Sequence, residues 1–549
     1  MKSIRWQIII ILAAGFIIGA LLLSGQSGFH LISPSPAKGG SYTEALVGGL
    51  QRLNPLLDYY NQPDRDVDRL IFSGLLRFDS RGEAQPDLAE KWGVSMDGLT
   101  YNFDIQPKAV WHDGTPVTSE DVVFTVEKMR DPDSVLPEDL KTLWRGVEVI
   151  ALSEKSLQFQ LPEAYAPFKD YLTFGILPKH LLGNLGYADI VNSSFNIQPI
   201  GSGPYQFDKL IIEDGQIKGV ALKANENYYG QRPFISQVAF RYFPDGPAAY
   251  HAYAQGEVQG IGEVSLDILR QVLANPNLSL YSTRKPQVSM VFFNLKNNEV
   301  KFLQNKVIRQ ALLSGLNRRS MIDRIYLGQG IIASVPLLPG TWAYYDSLTP
   351  VDYDPQKSME LLKQQGYVLA NSGDTVRTKE GTSLSFELLY PEDTTHQAIA
   401  EAIQADWAKI GVAVTLKAVA YDLLVLDHLQ PLSYQAALVD LNFTNAPDPD
   451  PYPFWDISQV GGGQNYSQWE NRVVSEYLEQ ARISQDFDER AKLYRNFQVI
   501  FMDELPALPL FYPVYNYGVD KSIQGVRMGP LFDPSDRFFN ITSWFLVSK

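Results

Sequence analysis

Residues Tyr101–Pro132 read YNFDIQPKAVWHDGTPVTSEDVVFTVEKMRDP, and the fold class is decided here. Tyr101, Phe103 and Ile105 alternate with polar neighbours, the period of a half-buried strand. Trp111 follows, and then His112-Asp113-Gly114-Thr115-Pro116, where Asp-Gly supplies the backbone freedom of a tight turn. Thr118 and Asp121, three residues apart, form a capping pair for a helix. Val122, Val123, Val126 and Met129 share one face of that helix, Lys128 and Arg130 suit its carboxyl end, and Pro132 stops it. Strand, turn and capped helix in this order predict an α/β domain. His112-Asp113 is half of a triad on paper, but the chain has no Gly-x-Ser-x-Gly elbow, and a hydrogen-bonded structural histidine is expected.

Working outward, 549 residues suggest about three to four domains. The composition, 45% hydrophobic and 20% charged, is that of a globular protein able to bury a core. Aromatics stand out, with 29 Tyr, 28 Phe and 9 Trp, and a wide ligand cleft draws on the same residues as a core. The net charge of −15 and the absence of a basic run argue against nucleic acid as a partner. With no cysteine there is no disulfide, thiolate metal site or cysteine nucleophile. Six scattered histidines (His30, His112, His180, His251, His396 and His428) give no metal-binding pattern, and no cofactor is expected.

Toward the amino end, Lys2 and Arg5 precede the unbroken apolar run Ile8–Leu23. The basic end stays cytoplasmic, which puts the rest of the chain outside. An uncleaved membrane anchor is expected, with cleavage after Ser27 as the alternative. Gly25 to Gly40, rich in Gly, Ser and Pro, reads as a tether. Past it, Val67, Leu70, Ile71 and Leu75 lie on one side of a helix. Gly201-Ser202-Gly203-Pro204-Tyr205 suits a tight loop feeding a strand, and it lacks the Gly-Lys-Ser/Thr ending of a phosphate loop. Further on, Val307, Ile308, Ala311 and Leu312 make a helical face, and Asn317 caps the next helix. Ile399, Ile403, Trp407 and Ile410 make another face, which Gly411 ends before the alternating strand Val412–Val419.

These motifs, taken together, resemble solute-binding protein family 5, the extracytoplasmic receptors of ABC importers for peptides, nickel and some oligosaccharides. Family members carry an aromatic strand, F-H-D-G-T-P and A-E-D-V at this point; here Trp111 takes the phenylalanine place and Ser119 the alanine place. Leu53-Asn54-Pro55, Ile176-Leu177-Pro178-Lys179-His180, Gly201–Tyr205, Asn225–Gly230 and Leu505–Phe511 recur in the family's order. The lipid-carrying cysteine of many members is absent, since Leu23-Ser24-Gly25 runs into Gln26.

The resemblance implies a two-lobed α/β periplasmic-binding-protein-like fold of the large three-domain type (class II), with an N-terminal membrane segment (1–24) and linker (25–40). The core domain would comprise 41–85, 199–286 and 509–549, the inserted domain 86–198, and the second lobe 287–508. It further implies no enzymatic activity, a monomer, and a permease with separate ATPase subunits as partners. The solute would be a peptide or, as the alternative, an oligosaccharide. A secreted hydrolase would need a nucleophile–base pair or metal site, neither of which the motifs supply; a chaperone-like surface protein would lack a closable cavity.

For the site, the resemblance points to Tyr59, Tyr60, Asn61 and Gln62, and to the loop that leaves Asp440 through Phe443 and Thr444. In peptide-binding members a carboxylate just before an Asp-Pro-Asp motif holds the ligand's α-amino group. Aligning Asp448-Pro449-Asp450 on that motif puts the neutral Asn445 in the carboxylate's place, with Asp440 as a possible substitute. Read without the resemblance, Asp448, Asp450 and Asp456 are capped, solvated acids of a rigid loop, because the glycine and distal glutamate of a calcium loop are missing.

Overall fold

The computed structural model describes residues 38–547. The expected anchor, and the tether as far as residue 37, lie outside the described residues. Among the described residues no helix is long and apolar enough to cross a membrane. Gly39 and Gly40 are already docked: Gly39 N–H donates to the Phe234 carbonyl, and the Gly40 carbonyl accepts from Ser236.

The deciding stretch folds largely as its pattern predicts. Thr100–Ile105 is a strand with Tyr101, Phe103 and Ile105 buried, second in a four-stranded antiparallel sheet. Gly114 closes the turn at φ +90°, and its N–H donates to the Trp111 carbonyl. The Asp121 carboxylate accepts from the Thr118 N–H at 2.7 Å and hydroxyl at 3.0 Å, starting the helix Ser119–Met129. That helix also buries Phe124 and Thr125, while Val123 is only half-buried, so its covered surface is wider than one stripe.

A 12-stranded mixed sheet runs through the molecule. Its first half is built on Ser41–Val47, which pairs in parallel with Gln237–Phe243 and Gly260–Ile261. Its second half is built on Gln287–Phe293, which pairs with Ala436–Asn442. One strand, Ala507–Asp520, belongs to both: its early residues pair with Gln287–Phe293 and Gly330–Ile332, and Val514 onward pairs with Leu278–Arg284. Two prolines mark the crossing. Pro286 lies between Leu278–Arg284 and Gln287–Phe293, and the Pro513 carbonyl accepts from Lys285 N–H at 2.7 Å.

Alternation explains why the second half is sandwiched. Val288, Met290 and Phe292 enter one core cluster while Val291 and Phe293 enter another, so both faces of that sheet are covered. The helix Thr394–Lys409, the positive φ of Gly411 (+83°) and the parallel strand Ala413–Val419 form the expected unit on its flank.

In the first half, Gln62–Ile71 is the helix expected around Val67, Leu70 and Ile71; Leu75 falls beyond its end. Gly201 and Gly203 are glycines because the chain passes against the end of this helix. A Cβ at Gly201 would stand 2.0 Å from the Ile71 carbonyl oxygen, and one at Gly203 2.4 Å from that of Leu70. His112 is structural: its Nδ1 accepts from Gly201 N–H and its Nε2 lies 3.1 Å from the Gly203 carbonyl. Burial pushes its pKa down to about 4, so the ring stays neutral. Early and late segments of the described residues meet at Arg537, which is 1% exposed and bonds Glu44 and Asp66 at 2.7 Å each.

Candidate functional site

Between the two halves lies a cavity of ≈ 1040 Å³. One wall comes from Pro55–Phe72 and the segment around Phe532–Asp536, a second from residues 129–175, and the third from the loop Asn442–Asp450 with Gln464 and Tyr466. Aromatic faces such as Phe72, Trp144, Tyr165, Tyr171 and Phe174 supply an apolar interior, as ligand sites use.

The halves touch across the cavity through polar contacts. Asn445 N–H donates to the Phe532 carbonyl at 2.7 Å, and Asp448 N–H to the Asp170 carboxylate at 2.7 Å. The Arg482 guanidinium lies 4.9 Å over the Tyr165 ring and 4.2 Å over the Tyr452 ring, while pairing with Asp450 at 3.2 Å.

Of the residues singled out from the sequence, Tyr59, Phe443, Thr444 and Asn445 line the cavity, and four others do not. Tyr60 is 75% exposed and packs edge-on against Tyr59. Asn61 precedes the helix Gln62–Ile71 and bonds the Gly49 carbonyl. Gln62 donates to Asp66 and Asp533. Asp440 sits on its strand and accepts from Gln287, Ser289 and His396, away from the cavity. Strand register explains it, because Asp440 stands opposite Ser289 and the two side chains share one face of the sheet.

The loop acids are a correction. Expected to be solvated, Asp448 and Asp456 are 6% and 0% exposed. Asp448 pairs with Arg490, itself 4% exposed, and receives the Tyr494 hydroxyl. Asp456 accepts from the N–H and hydroxyl of Ser458, capping a short helical turn. For Asp448 the physical reason is Arg490, which folds back behind the loop and makes burial of that charge tolerable, as Arg482 does for the half-buried Asp450. Asp456 has only its cap on Ser458. Among the described residues no group of three His, Cys, Asp or Glu could hold a metal.

Eight aspartates and two arginines line the cavity, so its interior carries an excess of negative charge. Arg65 pairs with Asp533 at 3.1 Å, and Arg69 with Asp536 at 3.0 Å. Burial raises the Asp533 carboxyl, but Arg65 and the hydrogen bonds of Ser535 outweigh it and leave the group below its ordinary value. Asp58 and Asp68 behave oppositely. Burial and the neighbouring acid push Asp68 well up, and burial pushes Asp58 up to about 8 despite Arg65. Asp170 is likewise raised by burial and by Asp448.

Asp58 and Asp68 were not singled out from the sequence, although a signal exists. Asp64, Val67, Asp68 and Ile71 fall at the i, i+3, i+4, i+7 spacing of a buried stripe, and all four are buried. An acid on such a stripe needs a partner or a purpose.

Residues 83–464 match the bacterial extracellular solute-binding proteins, family 5 Middle. The oligopeptide-binding protein AppA of Bacillus subtilis is 26% identical over 546 residues, covering 96% of this chain and 97% of its own. Its structure in complex with a nonapeptide superposes with a TM-score of 0.67 over 94% of this chain and 100% of its own. The dipeptide-binding protein of Escherichia coli is 27% identical over 82% of this chain and 84% of its own. HbpA2 of Haemophilus parasuis, at 22% identity, shares the fold with a TM-score of 0.80 over 92% of this chain and all of its own. The chain has the mixed α/β fold of periplasmic binding proteins, and it belongs to family 5 of the bacterial extracellular solute-binding proteins.

Proposed function

We propose that this chain is the receptor of an ABC importer, taking up a peptide between its two halves and presenting it to a membrane permease. The observation that carries the reading is the ≈ 1040 Å³ cavity walled by both halves, large enough for a small oligopeptide. AppA and the dipeptide-binding protein, by their names, bind peptides, and the similarity extends along most of this chain. The two strand crossings at Pro286 and Pro513 suit a hinge, with the core and inserted domains (41–286 and 509–549) forming one lobe and 287–508 the other. Closing on the solute shifts the population toward a form the permease recognises.

Tyr59, Phe443, Thr444 and Asn445 are the proposed ligand contacts. Asn445 is exposed at φ +60° and offers an amide that both donates and accepts, suited to a peptide backbone. Retention at the outer face of the membrane is proposed through Ile8–Leu23 without a lipid, given Gln26. Fractionation tests it, and a soluble product beginning near Gly28 would refute it.

Native mass spectrometry of the purified protein, followed by calorimetry with tri- to pentapeptides, tests the peptide assignment. A co-purified peptide and saturable binding are expected. A co-purified oligosaccharide with no peptide binding would transfer the assignment to that solute class.

A further inference from the structure

The helix Gln62–Ile71 carries three buried acids on a cavity wall, and each meets a different fate. Asp64 is consumed by the backbone, accepting from Gln51 N–H at 3.0 Å and Arg52 N–H at 2.8 Å. Asp66 is consumed by Arg537 at 2.7 Å and by Gln62. Asp68, 3% exposed and lining the cavity, has no cation on either carboxylate oxygen; the groups near it are the Asp58 carboxyl and the Asn54 N–H. Its close neighbour is a second acid of the same wall, Asp58.

The cation nearest to hand is already spent. Arg65 gives its Nε to Asp533 and its remaining nitrogens to Gln62 and the Asp58 and Tyr59 carbonyls. The other charged or titratable groups facing the pair are Asp64 and Asp533, both acidic, and, beside Asp68, Tyr242, whose buried hydroxyl also lacks a protein partner. Two buried acids with no free cation are costly unless they share a proton or something else supplies the positive charge.

We infer that Asp58 and Asp68 form a subsite for an alkylammonium group of the solute, placed on the wall opposite Asn445. The inference rests on the peptide reading of the cavity, and the group is either the α-ammonium or a lysine side chain. An ammonium has three donors, enough to serve both carboxyls at once. In the unliganded protein the pair holds a proton, and the arriving cation displaces it. Binding of a cationic solute therefore strengthens as pH rises toward the pKa of its own amine, whereas a neutral solute is indifferent.

Calorimetry on the full chain separates the sources with four probes: trialanine, N-acetyl-trialanine amide, N-acetyl-Ala-Lys-Ala amide and its norleucine analogue. At pH 7.5, where both amines keep most of their protons, at least one ammonium-bearing probe should bind roughly tenfold or more tighter than its neutral partner. Tighter trialanine assigns the subsite to the α-ammonium, and tighter lysine peptide to a side chain. The preference should shrink at pH 5.5 and vanish in Asp68→Asn. Equal binding of charged and neutral probes would overturn the inference, as would a preference that survives both Asp68→Asn and Asp58→Asn. If no peptide binds, the peptide reading fails, and a thermal melt judges the pair separately. n-Hexylammonium should protect the wild type more than n-hexanol at equal concentration, and Asp68→Asn should abolish the difference; no difference in the wild type sinks the subsite.

Discussion

The two facing walls of the cavity treat their acids in opposite ways. On the loop wall Asp448 and Asp450 each have an arginine behind them, Arg490 and Arg482. On the helix wall Asp58 and Asp68 have only each other, because Arg65 and Arg69 are taken by Asp533 and Asp536. The difference teaches which charges maintain the structure and which remain available to a solute. A carboxylate bonded to a buried guanidinium contributes to the shape of the loop; one left without a partner costs stability until a ligand arrives.

Breaking the paired wall should have the largest effect. Arg490→Met leaves Asp448 buried and unpaired, and should cost about 3–5 kcal/mol in urea denaturation. Asp448→Asn added to Arg490→Met should restore much of the loss. A cost for the single variant no larger than that of an exposed ion pair would show that the loop acid is not held as described.

A change remote from both walls serves as a control. Gly114→Val forces a β-branched side chain to φ +90°, where space is free but the backbone is strained. A loss of roughly 1–3 kcal/mol with unchanged solute affinity is expected. Loss of affinity at full stability would place the turn in the site instead.

On the unpaired wall the sign reverses. Asp58 and Asp68 have folded-state pKa values above the unfolded range, so the folded protein holds more protons than the unfolded chain there. Stability contributed by the protonated pair is complete below the unfolded carboxylate range, and declines as pH rises through neutrality toward about 8. Asp68→Asn should therefore raise the stability of the free protein at pH 8 by about 1 kcal/mol or more, with little change at pH 4. Destabilisation at pH 8 would mean that Asp68 is a structural acid like Asp66.

The smallest effect belongs to Asn445→Asp. A carboxylate there faces solvent at the loop tip, so it should improve binding of free peptides by less than tenfold, on the scale of an exposed charge pair. A much larger gain in calorimetry would move the amine's dominant anchor to the loop wall and weaken the case for the helix wall.

The local elements were legible in the residues themselves. Tyr101, Phe103 and Ile105 set their strand through alternation, Thr118 and Asp121 set a helix start through a bond three residues long, and Gly411 ended a helix by admitting positive φ. Such features depend on neighbours a few residues away, which a sequence displays directly. The need for Gly201 was visible, but its cause was not: the Ile71 carbonyl that excludes a side chain is 130 residues earlier.

Fates of charges were the tertiary structure's decision. Asp64, Asp66 and Asp68 are chemically identical and share one helix, yet only contacts with Arg52, Arg537 and Asp58 distinguish a capped acid, a paired acid and an open one. The burial of Asp448 was misjudged for the same reason, since Arg490 reaches it across the fold. The sequence by itself determined the α/β elements, the family pattern and the neutral Asn445. Which acids face the solute was settled by packing, because the cost of a buried charge depends on what lies within a few ångströms in space and not on its position along the chain.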